Sequence, residues 1–184
     1  VKVYYALKMA GDQPDQAQMT RLRDYILNQG GAAKANVFTR IALAIFEQLP
    51  WRGVPFIPVE IMLLPKWFPF HIDKVSYWSR TVMVPLFILC TLEAKAKNPL
   101  NIDVLELFIT HPDKEQHYFA ERGLLNKFFL FLDALGRKSR ILITDKMHRR
   151  AVDKALNWFT ERLNGEDGLG GIFPAMVNAY EAML

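Results

Sequence analysis

DKMHRRAVDKALNWFTERL, residues 145–163, places Val152, Ala155, Leu156, Phe159 and Leu163 on one face of a 3.6-residue period and leaves Arg149, Arg150 and Lys154 on the polar side. A stripe of this width must be buried against something, so the stretch predicts an amphipathic helix, with Asp145 as its cap. The same period recurs upstream. Met19, Leu22, Tyr25 and Ile26 repeat at three and four before Gly30 and Gly31 halt the chain, and Val37, Phe38, Ile41, Ala42, Ile45 and Leu49 repeat after a cap at Asn36. Further helices are expected at 79–97, 101–110 and 124–136, and from Pro174 onward, where proline suits the first turn. Nowhere do apolar and polar residues alternate long enough to demand a sheet, so the expected fold class is all-α.

Two stretches break the pattern. Residues 50–70 hold five of the ten prolines (Pro50, Pro55, Pro58, Pro65, Pro69) together with Trp51, Phe56, Trp67, Phe68 and Phe70. That density prevents a regular helix yet is too apolar for a solvated linker, which predicts a packed irregular loop. Residues 111–122 crowd Asp113, Lys114, Glu115, Glu121 and Arg122 together, and read as a mobile surface excursion.

Composition narrows the class. The 184 residues are 51% apolar with a formal net charge of +4, ample for a core and unlike a disordered chain. The longest uncharged apolar stretch, 81–92, is 12 residues, short of the roughly 20 that span a bilayer. Cys90 is the only cysteine, so neither an internal disulfide nor a cysteine-based metal cluster can form. The chain starts at Val1 and its last helix reads as stopped mid-pattern, so a piece of a longer protein is expected.

Catalytic constellations are missing. No Asp-Asp or Asp-x-Asp pair occurs, and His71, His111, His117 and His148 lack metal-ligand spacing, so no metal site is expected. Gly168, Gly170 and Gly171 lack the Lys-Ser/Thr of a phosphate loop and read as a turn between helices. His71, between Phe70 and Ile72, reads as a structural histidine. Phe38 and Trp78 each precede an arginine, Arg40 and Arg80; both rings could fill the core or line a cavity. The run Leu124, Leu125, Phe128, Phe129, Leu130, Phe131 and Leu132 is apolar nearly all round, and Arg137, Lys138, Arg140, Lys146, Arg149 and Arg150 follow it. That pattern fits either a core helix with a solvated basic end or an interfacial membrane anchor. Nucleic-acid binding is disfavoured, since no stacking platform accompanies the charge.

A resemblance enters at Leu64-Pro65-Lys66-Trp67-Phe68-Pro69-Phe70-His71 and Val75-Ser76-Tyr77-Trp78-Ser79-Arg80. With Gln29-Gly30-Gly31-Ala32, Val37-Phe38-Thr39-Arg40, Pro50-Trp51 and Pro58-Val59-Glu60-Ile61, these strings resemble bacterial squalene-hopene cyclases, colinearly and along the whole chain, most weakly at 98–123. The resemblance implies an incomplete α/α barrel (toroid) of the terpenoid cyclase type, with residues 1–184 forming part of the N-terminal barrel domain. It implies proton-initiated cyclisation of squalene to hopene without cofactor or metal, started by an Asp-x-Asp-Asp acid expected beyond Leu184, so the 184 residues alone are expected to be inactive.

Motif by motif, the resemblance puts Phe38, Trp78, Ile172, Phe173 and Pro174 on the substrate cavity. Phe173 stands where some members carry glutamine. The family's surface-tying motif begins at Lys154-Ala155 and Trp158-Phe159, but Leu163 replaces its glutamine and Leu169 its tryptophan. Leu125, Phe128, Phe129 and Leu132 become the membrane contact of a monotopic, homodimeric enzyme on the cytoplasmic face of a bacterial membrane. The alternatives are another triterpene cyclase of oxidosqualene type, or a non-catalytic helical module that binds lipid or a partner helix.

Overall fold

In the computed structural model, which describes residues 1–119, 123–139 and 142–184, seven α-helices carry the chain: α1 (Lys2–Met9), α2 (Ala17–Asn28), α3 (Val37–Ile45), α4 (Tyr77–Thr91), α5 (Leu124–Ser139), α6 (Asp145–Thr160) and α7 (Phe173–Met183). The all-α expectation holds. One addition to it is a short antiparallel pair, β1 (Leu163–Asn164) with β2 (Gly168–Leu169), in the register Leu163 to Leu169 and Asn164 to Gly168. Glu121, Arg122 and Arg140, and the side chains of Leu125 and Phe129, lie outside the described residues. The chain divides into two compact units, Val1–Pro55 with Lys95–Leu132, and Phe56–Ala94 with Asp133–Leu184.

In the first unit, α2 stops because Gly30 and Gly31 take positive φ (97° and 76°) and return their N–H groups to Leu27 and Ile26. Gly31 is also a close approach: a Cβ there would stand 3.0 Å from the carbonyl oxygen of Leu107. Asn36 caps α3 as expected, accepting from Thr39 N at 2.9 Å. The helix ends at Ile45, short of Leu49, and the buried Gln48 accepts from Val104 N at 2.9 Å while its amide donates to Phe46 O. That contact overturns the helix expected at 101–110. With Val104 N taken by Gln48, and Asn98 bracketing both the N–H and the carbonyl of Ile102, only a 3₁₀ turn at Leu105–Leu107 remains.

The described part of 111–122 also departs from expectation. Instead of an unanchored excursion, it is tied down by side chains reaching its carbonyls. Arg52 donates to Pro112, Asp113 and Glu115, Arg40 to Tyr118 at 2.8 Å, and Lys34 to His117; the Tyr118 hydroxyl, itself buried, donates to Pro112 O at 2.7 Å. Its polar residues face water while its backbone is held. α1, which no periodicity announced, is fixed by the buried Tyr4, whose hydroxyl donates to Glu106 at 2.9 Å, and by Lys8, which meets the same carboxylate at 2.7 Å.

The second unit has one apolar core. Val59 and Met62 from the 3₁₀ turn Val59–Leu63, Ile72, Val84, Phe87 and Ile88 from α4, Ala151, Ala155 and Phe159 from α6, Leu169, and Ala175 and Ala179 from α7 pack together. α6 begins as expected, but its cap is Thr144, whose hydroxyl accepts from Met147 N, with Asp145 in the first turn. α4 ends at Thr91 rather than 97, where Glu93 takes a φ of 51°. Residues 50–70 are irregular and mostly packed, with Gly53, Val54, Val59 and Met62 buried, although Trp67 and Phe70 remain exposed.

Two outcomes follow. Phe159→Ala, which empties a fully buried site, lowers the unfolding free energy by about 3–5 kcal/mol, read by denaturant titration against wild type. Burial alone would raise the Glu106 carboxyl, but hydrogen bonds from Lys8 and Tyr4 hold it below its ordinary 4.5. A depressed carboxylate stabilises the fold above the ordinary range and loses that contribution as pH falls through the folded value. Glu106→Gln therefore melts below wild type at neutral pH, and the gap closes on acidification; a gap constant down to pH ~3 would contradict this.

Candidate functional site

Trp78 is the second residue of α4. The Ser76 hydroxyl caps that helix by accepting from Ser79 N at 3.3 Å, and Thr81 donates its hydroxyl back to Trp78 O at 2.7 Å, so the backbone under the indole is held from both sides. The ring itself is 58% exposed. Gly170, at a φ of +67°, lies against Thr81 so closely that a Cβ would stand 3.3 Å from its hydroxyl oxygen. The loop that leads through Ile172 into Phe173 and Pro174 therefore leaves from the same end of α4. Ile172 is half-buried against the core, while Phe173 is 74% exposed and Pro174 also faces outward. Within the second unit, Trp78 and the 172–174 wall thus come to one end of one helix.

Phe38 occupies the equivalent place in the first unit, as the second residue of α3, and is 56% exposed. Neither residue fills the core of its own unit. α3 buries Thr39, Arg40, Ile41, Leu43 and Ala44, which turns Phe38 outward, and α4 does likewise with Thr81, Val84 and the residues beyond. His71 is the structural histidine expected: it is buried, and its Nδ1 accepts from Asp73 N at 3.0 Å to cap the 3₁₀ turn Ile72–Lys74.

What these positions offer is exposed aromatic faces. Burial pushes the Cys90 thiol up to about 12, so it supplies no thiolate near neutral pH. Among the described residues, no group of three His, Cys, Asp or Glu side chains is arranged to hold a metal ion.

Periodicity alone did not reveal the surroundings of Trp158. Arg162 lies over its ring at 4.3 Å from the centroid and Arg80 at 5.8 Å, Tyr77 stands 6.4 Å away, and Arg80 also pairs with Asp73 at 3.2 Å. The Asp73 to Arg80 pair runs from a 3₁₀ turn into a helix, a spacing no single period announces. Downstream, the replaced motif positions meet each other: Leu163 pairs with Leu169, and Leu169 is fully buried in the core. At this corner a two-residue backbone ladder and the buried Leu169 stand where the motif has glutamine and tryptophan.

On α5, Phe128 is 52% and Phe131 63% exposed, Leu124 and Leu135 also face outward, and Leu132 is half-buried. A core helix does not leave so much apolar surface uncovered. After it, Arg137 pairs with Asp133 at 2.6 Å, whereas Lys138, Lys146, Arg149 and Arg150 are exposed. Among the described residues, no helix is long and apolar enough to cross a membrane.

A family model described as the squalene-hopene cyclase N-terminal domain matches residues 1–184. The whole chain is 48% identical to a squalene-hopene cyclase of Bradyrhizobium diazoefficiens, covering 29% of that protein, and 47% identical to one of Zymomonas mobilis, covering 28%. It is 32% identical, again along its whole length, to a squalene-hopene cyclase of Alicyclobacillus acidocaldarius, of which it covers 29%. The chain thus spans less than a third of the length of these relatives. The degenerate motif gives a further expectation: Leu169→Trp, which restores the motif residue at a site already filled, lowers stability by about 1–3 kcal/mol, seen as a lower melting temperature.

Proposed function

Since the chain belongs to the squalene-hopene cyclase family, we propose that it is the N-terminal barrel-domain part of an isomerase that cyclises squalene to hopene, a step of hopanoid synthesis. The exposed rings of Phe38 and Trp78 are the observation that supports this reading. A polyene cascade develops positive charge in a dry cavity. An aromatic face meets that charge through its quadrupole, worth about 0.5–2 kcal/mol, without offering an atom that would trap the cation. On the Trp78 side, Ile172, Phe173 and Pro174 supply apolar surface that excludes water from the developing charge. Phe173 in place of a glutamine removes a polar group that could hold water near the terminal cation, which favours hopene over its hydrated product.

The initiating proton comes from an Asp-x-Asp-Asp carboxylic acid that these 184 residues do not contain. Clustered carboxylates keep one such acid protonated and ready to donate. The reaction needs no cofactor. Squalene reaches the cavity from lipid, and α5, whose sequence carries Leu125, Phe128, Phe129 and Leu132, rests in the cytoplasmic face of the membrane without spanning it. The whole enzyme works as a homodimer.

Squalene conversion by the full-length protein tests the reading. Trp78→Leu and Phe38→Leu each slow turnover roughly two- to thirtyfold, the equivalent of the lost cation–aromatic interaction, and unchanged turnover in both would refute the assignment. Residues 1–184 alone yield no product. In vesicle co-sedimentation, Phe128→Ser with Phe131→Ser weakens binding to neutral as well as anionic lipid; loss on anionic vesicles alone would show that charge, not the apolar face, makes the contact.

A further inference from the structure

The two exposed aromatics stand at matching places in a repeated stretch. Residues 32–40, AAKANVFTR, and 72–80, IDKVSYWSR, align without a gap: Lys34 with Lys74, Asn36 with Ser76, Phe38 with Trp78, Thr39 with Ser79 and Arg40 with Arg80. Their structures repeat as well. A three-residue 3₁₀ turn, Ala32–Lys34 or Ile72–Lys74, leads through one extended residue into a polar N-cap. That cap accepts from the N–H three residues on, at 2.9 Å for Asn36 and 3.3 Å for Ser76. The aromatic follows as the second helical residue and the arginine as the fourth.

Each arginine folds away from its aromatic into the protein. Arg40 donates from Nη1 to Tyr118 O at 2.8 Å, and its guanidinium lies 4.7 Å from the centroid of Phe119. Arg80 donates from Nη1 to Asp73 Oδ1 at 3.2 Å and lies 5.8 Å from the centroid of Trp158. The anchors thus differ in chemistry while the register is the same. Among the described residues three buried side-chain polar atoms lack a hydrogen-bond partner: Arg40 Nε, Arg80 Nε and Trp51 Nε1. An unpaired buried N–H on a cation is costly, so a device that carries it at the same position twice holds the arginine for something other than its own hydrogen bonding.

We propose that Arg40 and Arg80 are equivalent positioning residues, each pinning the first turn of its helix so that Phe38 or Trp78 presents its ring at a set place. The proposal rests on the cyclase reading. A cation–aromatic contact depends on the distance and angle of the ring face, so a first turn that rocks weakens the contact without changing the residues that make it.

The test uses the full-length protein, squalene and product analysis. Arg40→Lys and Arg80→Lys keep the charge but lose the planar fork that both donates and stacks. Each variant is expected to raise the fraction of incompletely cyclised product about threefold or more, with KM for squalene unchanged. The effect must also pair: the shift from Arg80→Lys disappears in a Trp78→Leu background and persists in Phe38→Leu, with the reverse for Arg40→Lys. A general loss of stability would act alike in both backgrounds, so equal shifts, or none, overturn the proposal. Should a lysine variant fail to accumulate, Asp73→Asn, at a half-exposed carboxylate, loosens the Arg80 anchor from outside and must show the same pairing with Trp78. Wild-type protein that converts no squalene overturns the cyclase reading itself; active wild type with unpaired shifts overturns only the role of the arginines.

Discussion

The second unit depends on how closely other segments can approach α6. Ala151 and Ala155, one turn apart and fully buried, carry nothing beyond Cβ, so Val59 and Met62 can lie almost on the helix backbone. Phe159, a further turn on, fills the volume left at the end of that stripe. Ala175 and Ala179 repeat the device on α7, which packs on α4. Small residues at the contacts and one large ring between them give dense packing without strain, and dense packing makes the unit sensitive to a change of a single methylene.

The first unit reaches order by another route. Its long connection from Lys95 to Phe119 has little regular structure, yet its backbone groups are met one by one by side chains from elsewhere in the unit: Gln48 at Val104, Arg52 at Pro112 and Arg40 at Tyr118. Long polar side chains here do what a helix would otherwise do for itself. The Tyr4, Lys8 and Glu106 cluster closes the same connection onto α1, with the tyrosine pushed up to about 12, chiefly by burial and then by the carboxylate beside it.

Where periodicity controls structure, the sequence was readable. α2, α3, α6 and α7 follow from the spacing of Ile26, Ile41, Phe159 and Ala175 and from their glycine, asparagine and proline punctuation. It failed at 101–110, where Val104 and Leu107 are buried at helical spacing but the backbone of Ile102 and Val104 bonds to the Asn98 and Gln48 side chains, in a geometry that leaves only the 3₁₀ turn. It failed also at 111–119, because charged composition reports where side chains point and says nothing of what holds the backbone. The motifs pointed to Trp78 and to the loop before Phe173, and Gly170 of that loop packs on Thr81, one turn along α4 from Trp78. The arginine anchors were invisible, since Arg40 and Arg80 find partners through tertiary contacts that no local spacing encodes.

The uncovered apolar face of α5, together with the exposed Trp67, Phe70, Trp78 and Phe173, has a consequence during synthesis. In relatives of which the chain covers 28–29%, a segment that matches the N-terminal domain leaves the ribosome while hundreds of later residues, on the order of the length of a second domain or more, are still to be made. At about 5–20 residues per second the wait is on the order of tens of seconds, far longer than collapse of a domain requires. Throughout that interval these apolar surfaces stand in water, where they are open to other nascent chains. Chaperone holding then becomes part of what the sequence has to provide for, and the speed of translation bears on yield as much as the stability of the finished fold does.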